Sequence, residues 1–128
     1  MSFSEWVSRI APEIEEVRGL LDQPLSDEPE PLWQAARDVE ARYGRLQYLL
    51  AKADAYLDVA AAERMPKGKT LTAAEKEAQV DALCAPEREV RDTLKGLLEA
   101  VKQRVMLAQS RMAYCRDVYI VAPRKGGA

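Results

Sequence analysis

The chain has no histidine, one phenylalanine, 6 glycines and 2 cysteines among its 128 residues. Without imidazole it has no histidine-based acid–base catalysis, no histidine triad and none of the usual mixed zinc sites. Cys84 and Cys115 are 31 residues apart and form no Cys-x-x-Cys pair. Both fall among apolar neighbours at helical spacing, which reads as buried reduced thiols of a cytosolic protein rather than a disulfide. No apolar run approaches the roughly 20 residues of a bilayer span. Glu5, Arg9 and Glu13 interrupt the N-terminal stretch too early for a signal peptide. A glycine-rich phosphate loop and paired catalytic carboxylates are also missing, so neither enzyme activity nor a cofactor or metal site is expected.

The chain does have alanine, charge and helical periodicity. Charged residues make up 31% and hydrophobic ones 48%, a mixture suited to long helices. The net charge of −2 is unevenly spread. Residues 1–31 carry 2 basic and 8 acidic side chains, whereas residues 88–128 carry 9 basic and 4 acidic ones. An acidic head and a basic tail on one short chain point to a charged partner or to attraction between subunits.

Ser2-Phe3-Ser4-Glu5 has the form of a capping box, in which serine hydroxyl and glutamate carboxylate satisfy free amides at a helix start. Trp6, Ile10, Ile14, Val17 and Leu21 mark one face of the short helix that follows, and Pro12 is expected to kink or restart it. Asp22 to Pro31 reads as an acidic, proline-rich linker separating this head from the rest. From Leu32 to about Arg64 the apolar positions Leu32, Ala36, Val39, Tyr43, Leu46, Leu50, Ala53, Leu57 and Ala60 alternate steps of 4 and 3. Such heptads specify a left-handed coiled-coil seam. Pro66 and Gly68 should then reverse the chain. Thr72-Ala73-Ala74-Glu75 opens a further helix to about Cys84, and a break is expected at Pro86.

From Glu87 to about Tyr119 the apolar residues Val90, Leu94, Leu97, Val101, Val105, Ala108, Met112, Cys115 and Tyr119 again keep helical spacing. At 100° per residue, Arg88, Arg91, Lys95, Lys102 and Arg116 fall within roughly 80° of one another beside that face. Arg104 and Arg111 flank its other edge. A cationic stripe of this kind suits the phosphates of a polyanion. It equally suits a solvated flank whose lysines and arginines pair with acids of a neighbouring helix. The expected fold is all-α. A short acidic N-terminal helix and linker (1–31) precede a long antiparallel, coiled-coil-like helical hairpin (32–121) and a flexible basic tail (122–128). Rods of about 50 Å side by side have no compact core, so a homo-oligomeric bundle or ring is expected. Leu46, Leu50, Leu57, Val101, Val105 and Met112 would form its contacts.

Three segments resemble the UvsY-like recombination mediators of bacteriophages: Leu49 to Ala60 (LLAKADAYLDVA), Ala74 to Thr93 (AEKEAQVDALCAPEREVRDT) and Leu97 to Met112 (LLEAVKQRVMLAQSRM). The resemblance covers about Leu46 to Tyr119. It implies a small, helical, ring-forming protein that binds single-stranded DNA and loads a phage or host recombinase in place of single-strand-binding protein. It also implies a home in the cytoplasm of a bacterial host. By that resemblance Lys52 is a DNA-contacting cation, and Lys102 with Arg104 forms the Lys-x-Arg of the last helix. Asp54 departs from the basic character of the first segment, and residues 1–31 match nothing in the family. The candidate DNA-binding set is Arg45, Lys52, Arg88, Arg91, Lys95, Lys102 and Arg104. The competing expectation is a non-enzymatic coiled-coil adaptor, assembly chaperone or inhibitor that grips a protein partner without DNA.

Overall fold

The computed structural model describes residues 1–65 and 71–126, with side chains as far as Tyr114. The described residues are all-helical and form four helices: α1 (Phe3–Asp22), α2 (Pro29–Arg64), α3 (Ala73–Leu83) and α4 (Ala85–Gly126). The expected chain reversal at Pro66 and Gly68 falls outside them. So do the side chain of Arg116 and those of the basic tail; the α4 backbone continues past Tyr119 to Gly126.

Local signals in the sequence account for most helix boundaries. The Ser2 hydroxyl accepts a hydrogen bond from the Glu5 amide at 3.1 Å, and Thr72 does the same for Glu75 at 3.1 Å. Each cap satisfies one of the amides that lack an intrahelical partner in a first turn. The break before α4 is a single residue, Cys84, with φ −103° and ψ 20°. Pro86 follows in the first turn of α4, where its missing N–H costs no helical hydrogen bond.

Two expectations are corrected. Pro12 does not divide the head: α1 is continuous over 20 residues. Trp6 and Ile10 before Pro12 and Val17 after it are all buried in one core, so the helix continues through the proline. The linker is also shorter than Asp22–Pro31. Helix α2 begins at Pro29, because a proline at a first helical position has its φ already set and needs no hydrogen-bonded N–H.

The beginning of α2 lies against the later part of α4, where Leu32 and Ala36 meet Ala108 and Met112. Midway, Leu46 and Leu49 pack with Leu94, Leu97 and Val101. The end of α2 meets the start of α4, where Arg64 bridges Glu87 at 2.8 Å. Helix α1 is not a detached head. Trp6, Ile10 and Val17 enter the same core, and Trp6 and Phe3 pack on the Tyr56 ring at centroid distances of 5.1 and 5.5 Å. The seam of α2 also runs one residue off its expected line at its centre. Leu49 is buried and Leu50 only half-buried, because α1 draws the buried face of α2 toward itself.

Candidate nucleic-acid interface

Helix α4 has two cationic edges, one on each side of its buried strip, and they have different surroundings. The edge with Arg104 and Arg111 is covered by α1 and the segment after it. Arg104 Nη1 donates to the Leu21 carbonyl at 2.9 Å and Nη2 donates to the Gln23 carbonyl. Arg111 Nη1 donates to the Leu25 carbonyl at 2.9 Å and lies 3.6 Å from an Asp27 carboxylate oxygen. The last carbonyls of a helix have no intrahelical donor and carry the negative end of its dipole. Helix α1 has no basic residue in its last turn, so Arg104 supplies that charge from α4. Arg104 Nε is buried without a partner, so this guanidinium faces inward and is not presented to a ligand.

The opposite edge holds Arg88, Arg91, Lys95 and Lys102 over about 21 Å of helix. Lys95 and Lys102 are exposed. Arg88 forms an ion pair with Asp81 of α3 at 3.1 Å, and Arg91 pairs with its neighbour Asp92 at 2.9 Å. Partly exposed pairs of this sort are weak, with a median of about 0–1 kcal/mol. A phosphate can therefore compete for them at small cost.

The acidic head does not lie over that edge. Two of its carboxylates go to α2 instead: Glu13 takes Arg45 through two bonds of 2.9 and 3.1 Å, and Glu16 takes Arg42. The hydrogen bonds it donates to Glu13 hold the Arg45 guanidinium above its ordinary pKa. Arg45 is thus occupied within the chain. Lys52 lies nearby on α2, its ammonium 6.0 Å from the centre of the Tyr48 ring, while Arg45 approaches the same ring at 5.3 Å. The structure therefore gathers four of the seven candidates on one edge of α4. It leaves Lys52 and Arg45 on α2 and turns Arg104 onto α1.

The candidate oligomer contacts divide in the same way. Leu46 (2% exposed) and Val101 (0%) are enclosed by helices of their own chain, which corrects their assignment to contacts between copies. Burial of α1 against both long helices supplies the covering that a second copy was expected to provide. Leu50, Leu57, Val105 and Met112 are half-buried.

Two features escaped sequence reasoning. Glu87 is 3% exposed and held by Arg64, whose Nη1 also donates to the Leu83 carbonyl at 2.9 Å. Three residues before Val90, Glu87 falls on the apolar face of α4, so a helical wheel carries that signal. The second is Trp33, exposed on α2 with the Arg37 guanidinium 4.7 Å from the centre of its ring.

Among the described residues no helix is long and apolar enough to cross a membrane, and no group of three or more Cys, Asp or Glu side chains could hold a metal ion. Comparison with protein-family models, curated proteins and solved structures gives no match.

Proposed function

We propose that this chain is a non-enzymatic, oligomeric accessory protein of phage recombination that binds single-stranded DNA through its backbone and promotes recombinase loading. Its long helices act as an antiparallel hairpin that carries the DNA edge, in the cytoplasm of a bacterial host. One observation carries the reading. Glu16 and Glu13 of α1 pair with Arg42 and Arg45 of α2, and among the described residues the ion pairs of the α4 edge bearing Arg88, Arg91, Lys95 and Lys102 are to Asp81 and Asp92, not to the acidic head. A handful of cations per subunit suffices when an oligomer repeats them, since multivalency raises avidity by about 10²- to 10⁴-fold. Lys52, exposed on α2, remains a further candidate cation outside that edge. Arg45 and Arg104 drop out of the DNA-binding set.

The test is anisotropy of labelled single-stranded DNA over a salt series. Each phosphate neutralised adds about −0.7 to the slope of log K against log salt. A steep slope that becomes shallower in the Lys95→Ala, Lys102→Ala double variant is the expected result. Absence of binding at low salt rejects the DNA reading. The adaptor reading would then take its place; the ion pairs of Arg88 and Arg91 with Asp81 and Asp92 favour it, because they give those cations a role without DNA.

A further inference from the structure

The face of α2 turned away from the core is apolar over most of its length and is exposed among the described residues. Trp33, Tyr48 and Val59 are 49%, 53% and 56% exposed, and between them stand Ala41, Gly44, Ala51 and Ala55, all exposed. With Arg37 these positions advance by 4, 4, 3, 4, 3, 4 and 4, a second helical seam opposite the first. We propose that this face is the contact between two copies of the chain, with α2 packed antiparallel on the partner's α2 about a two-fold axis level with Leu46.

Self-complementarity identifies a second copy as the occupant. Every seam position has a seam position equally far on the other side of 46, so a two-fold axis there sets Tyr48 against the partner's Gly44. It also sets Ala41 against the partner's Ala51, Arg37 against the partner's Ala55, and Trp33 against the partner's Val59. Bulk meets small residue at the centre, where helices must approach closely. Gly44 supports this. A Cβ there would meet nothing among the described residues, and glycine is the poorest helix former after proline. Gly19 and Gly96 are equally unobstructed, so Gly44 gains its meaning from the seam in which it stands.

Charge follows the same symmetry. Antiparallel helices bring like flanks together, which places Lys52 beside the partner's Asp38 and lets Arg37 reach the partner's Asp54. Arg45 comes near its own symmetry mate, but each copy already neutralises it with Glu13. Because α4 packs on the opposite side of α2, the pairing leaves both α4 edges outward. The inference deepens the oligomeric part of the proposed function and does not depend on DNA.

The test uses the full chain without DNA, in sedimentation equilibrium and in disulfide trapping. The parent should sediment as a dimer or an even multiple, and Tyr48→Glu should weaken the pairing at least 100-fold with an unchanged far-ultraviolet circular dichroism spectrum. In a Cys84→Ala, Cys115→Ser background, Ala41→Cys combined with Ala51→Cys should give a covalent dimer on mild oxidation. Either cysteine alone should not, since like positions lie about 15 Å apart along the axis. A parent that stays monomeric, or efficient trapping by Ala51→Cys alone, overturns the proposal. A dimer of unchanged affinity in Tyr48→Glu overturns it as well. Failure here with salt-sensitive DNA binding intact rejects the interface and leaves the DNA edge standing. A trapped dimer without DNA affinity does the reverse.

Discussion

The two edges of α4 both carry cations and do different work. On one, Arg104 and Arg111 close the C-terminal end of α1 by donating to Leu21, Gln23 and Leu25 carbonyls. On the other, Lys95 and Lys102 stand in solvent and the arginines hold only short-range acidic neighbours. The difference lies in geometry, because a guanidinium fork reaching backbone carbonyls is fixed by several directional bonds while a lysine at an open edge is held by none. A cation on a helix wheel is therefore a structural strap or a ligand site according to what the fold lays beside it.

The comparison can be broken most strongly by undocking α1. Trp6→Ala should destabilise the chain by about 3–5 kcal/mol in urea unfolding, because it removes a large aromatic side chain from the shared core. Arg104→Ala should cost less, about 1–3 kcal/mol, through the carbonyls it leaves without donors. Hydrogen exchange at the last turn of α1 should rise in that variant before the α2–α4 core loosens. Removing the Thr72 cap with Thr72→Ala should cost about 1 kcal/mol and leave both edges as they are. Lys102→Ala, on the open edge, should move stability by no more than about 0.5 kcal/mol. It should nonetheless lower the salt slope of DNA binding by about 0.7. If Arg104→Ala changed the salt slope while Lys102→Ala changed stability, the assignment of the two edges would be reversed.

Helix existence and the two caps were legible in the residues themselves. Ser2 and Thr72 each sit three residues before a glutamate, and that spacing is a local property of the backbone. The apolar period of α4 was likewise visible, and Leu94, Leu97, Val101 and Ala108 are buried on it. The docking of α1 was not legible. Trp6, Ile10 and Val17 announce a face to bury but not its partner, and the acidic, proline-rich stretch after them looked like a solvated linker. That the helix does not restart at Pro12 has the same root, since the cost of the proline is local and the burial that offsets it is not. The assignment of Leu46 and Val101 to contacts between subunits failed because a heptad seam has the same signature whether its partner is another copy or another helix of the same chain.

The sequence by itself determined the elements of this protein: where helices start, which faces are apolar, and that cations line both flanks of the last helix. These follow from spacing at 3.6 residues per turn and from capping groups within a few residues of the amides they serve. Only the tertiary structure decided which flank α1 covers, that Glu16 and Glu13 go to Arg42 and Arg45, and that the outer face of α2 is left exposed. Those outcomes depend on contacts between residues tens of positions apart, such as Arg104 with Leu21 and Arg45 with Glu13, which periodicity within one helix does not encode.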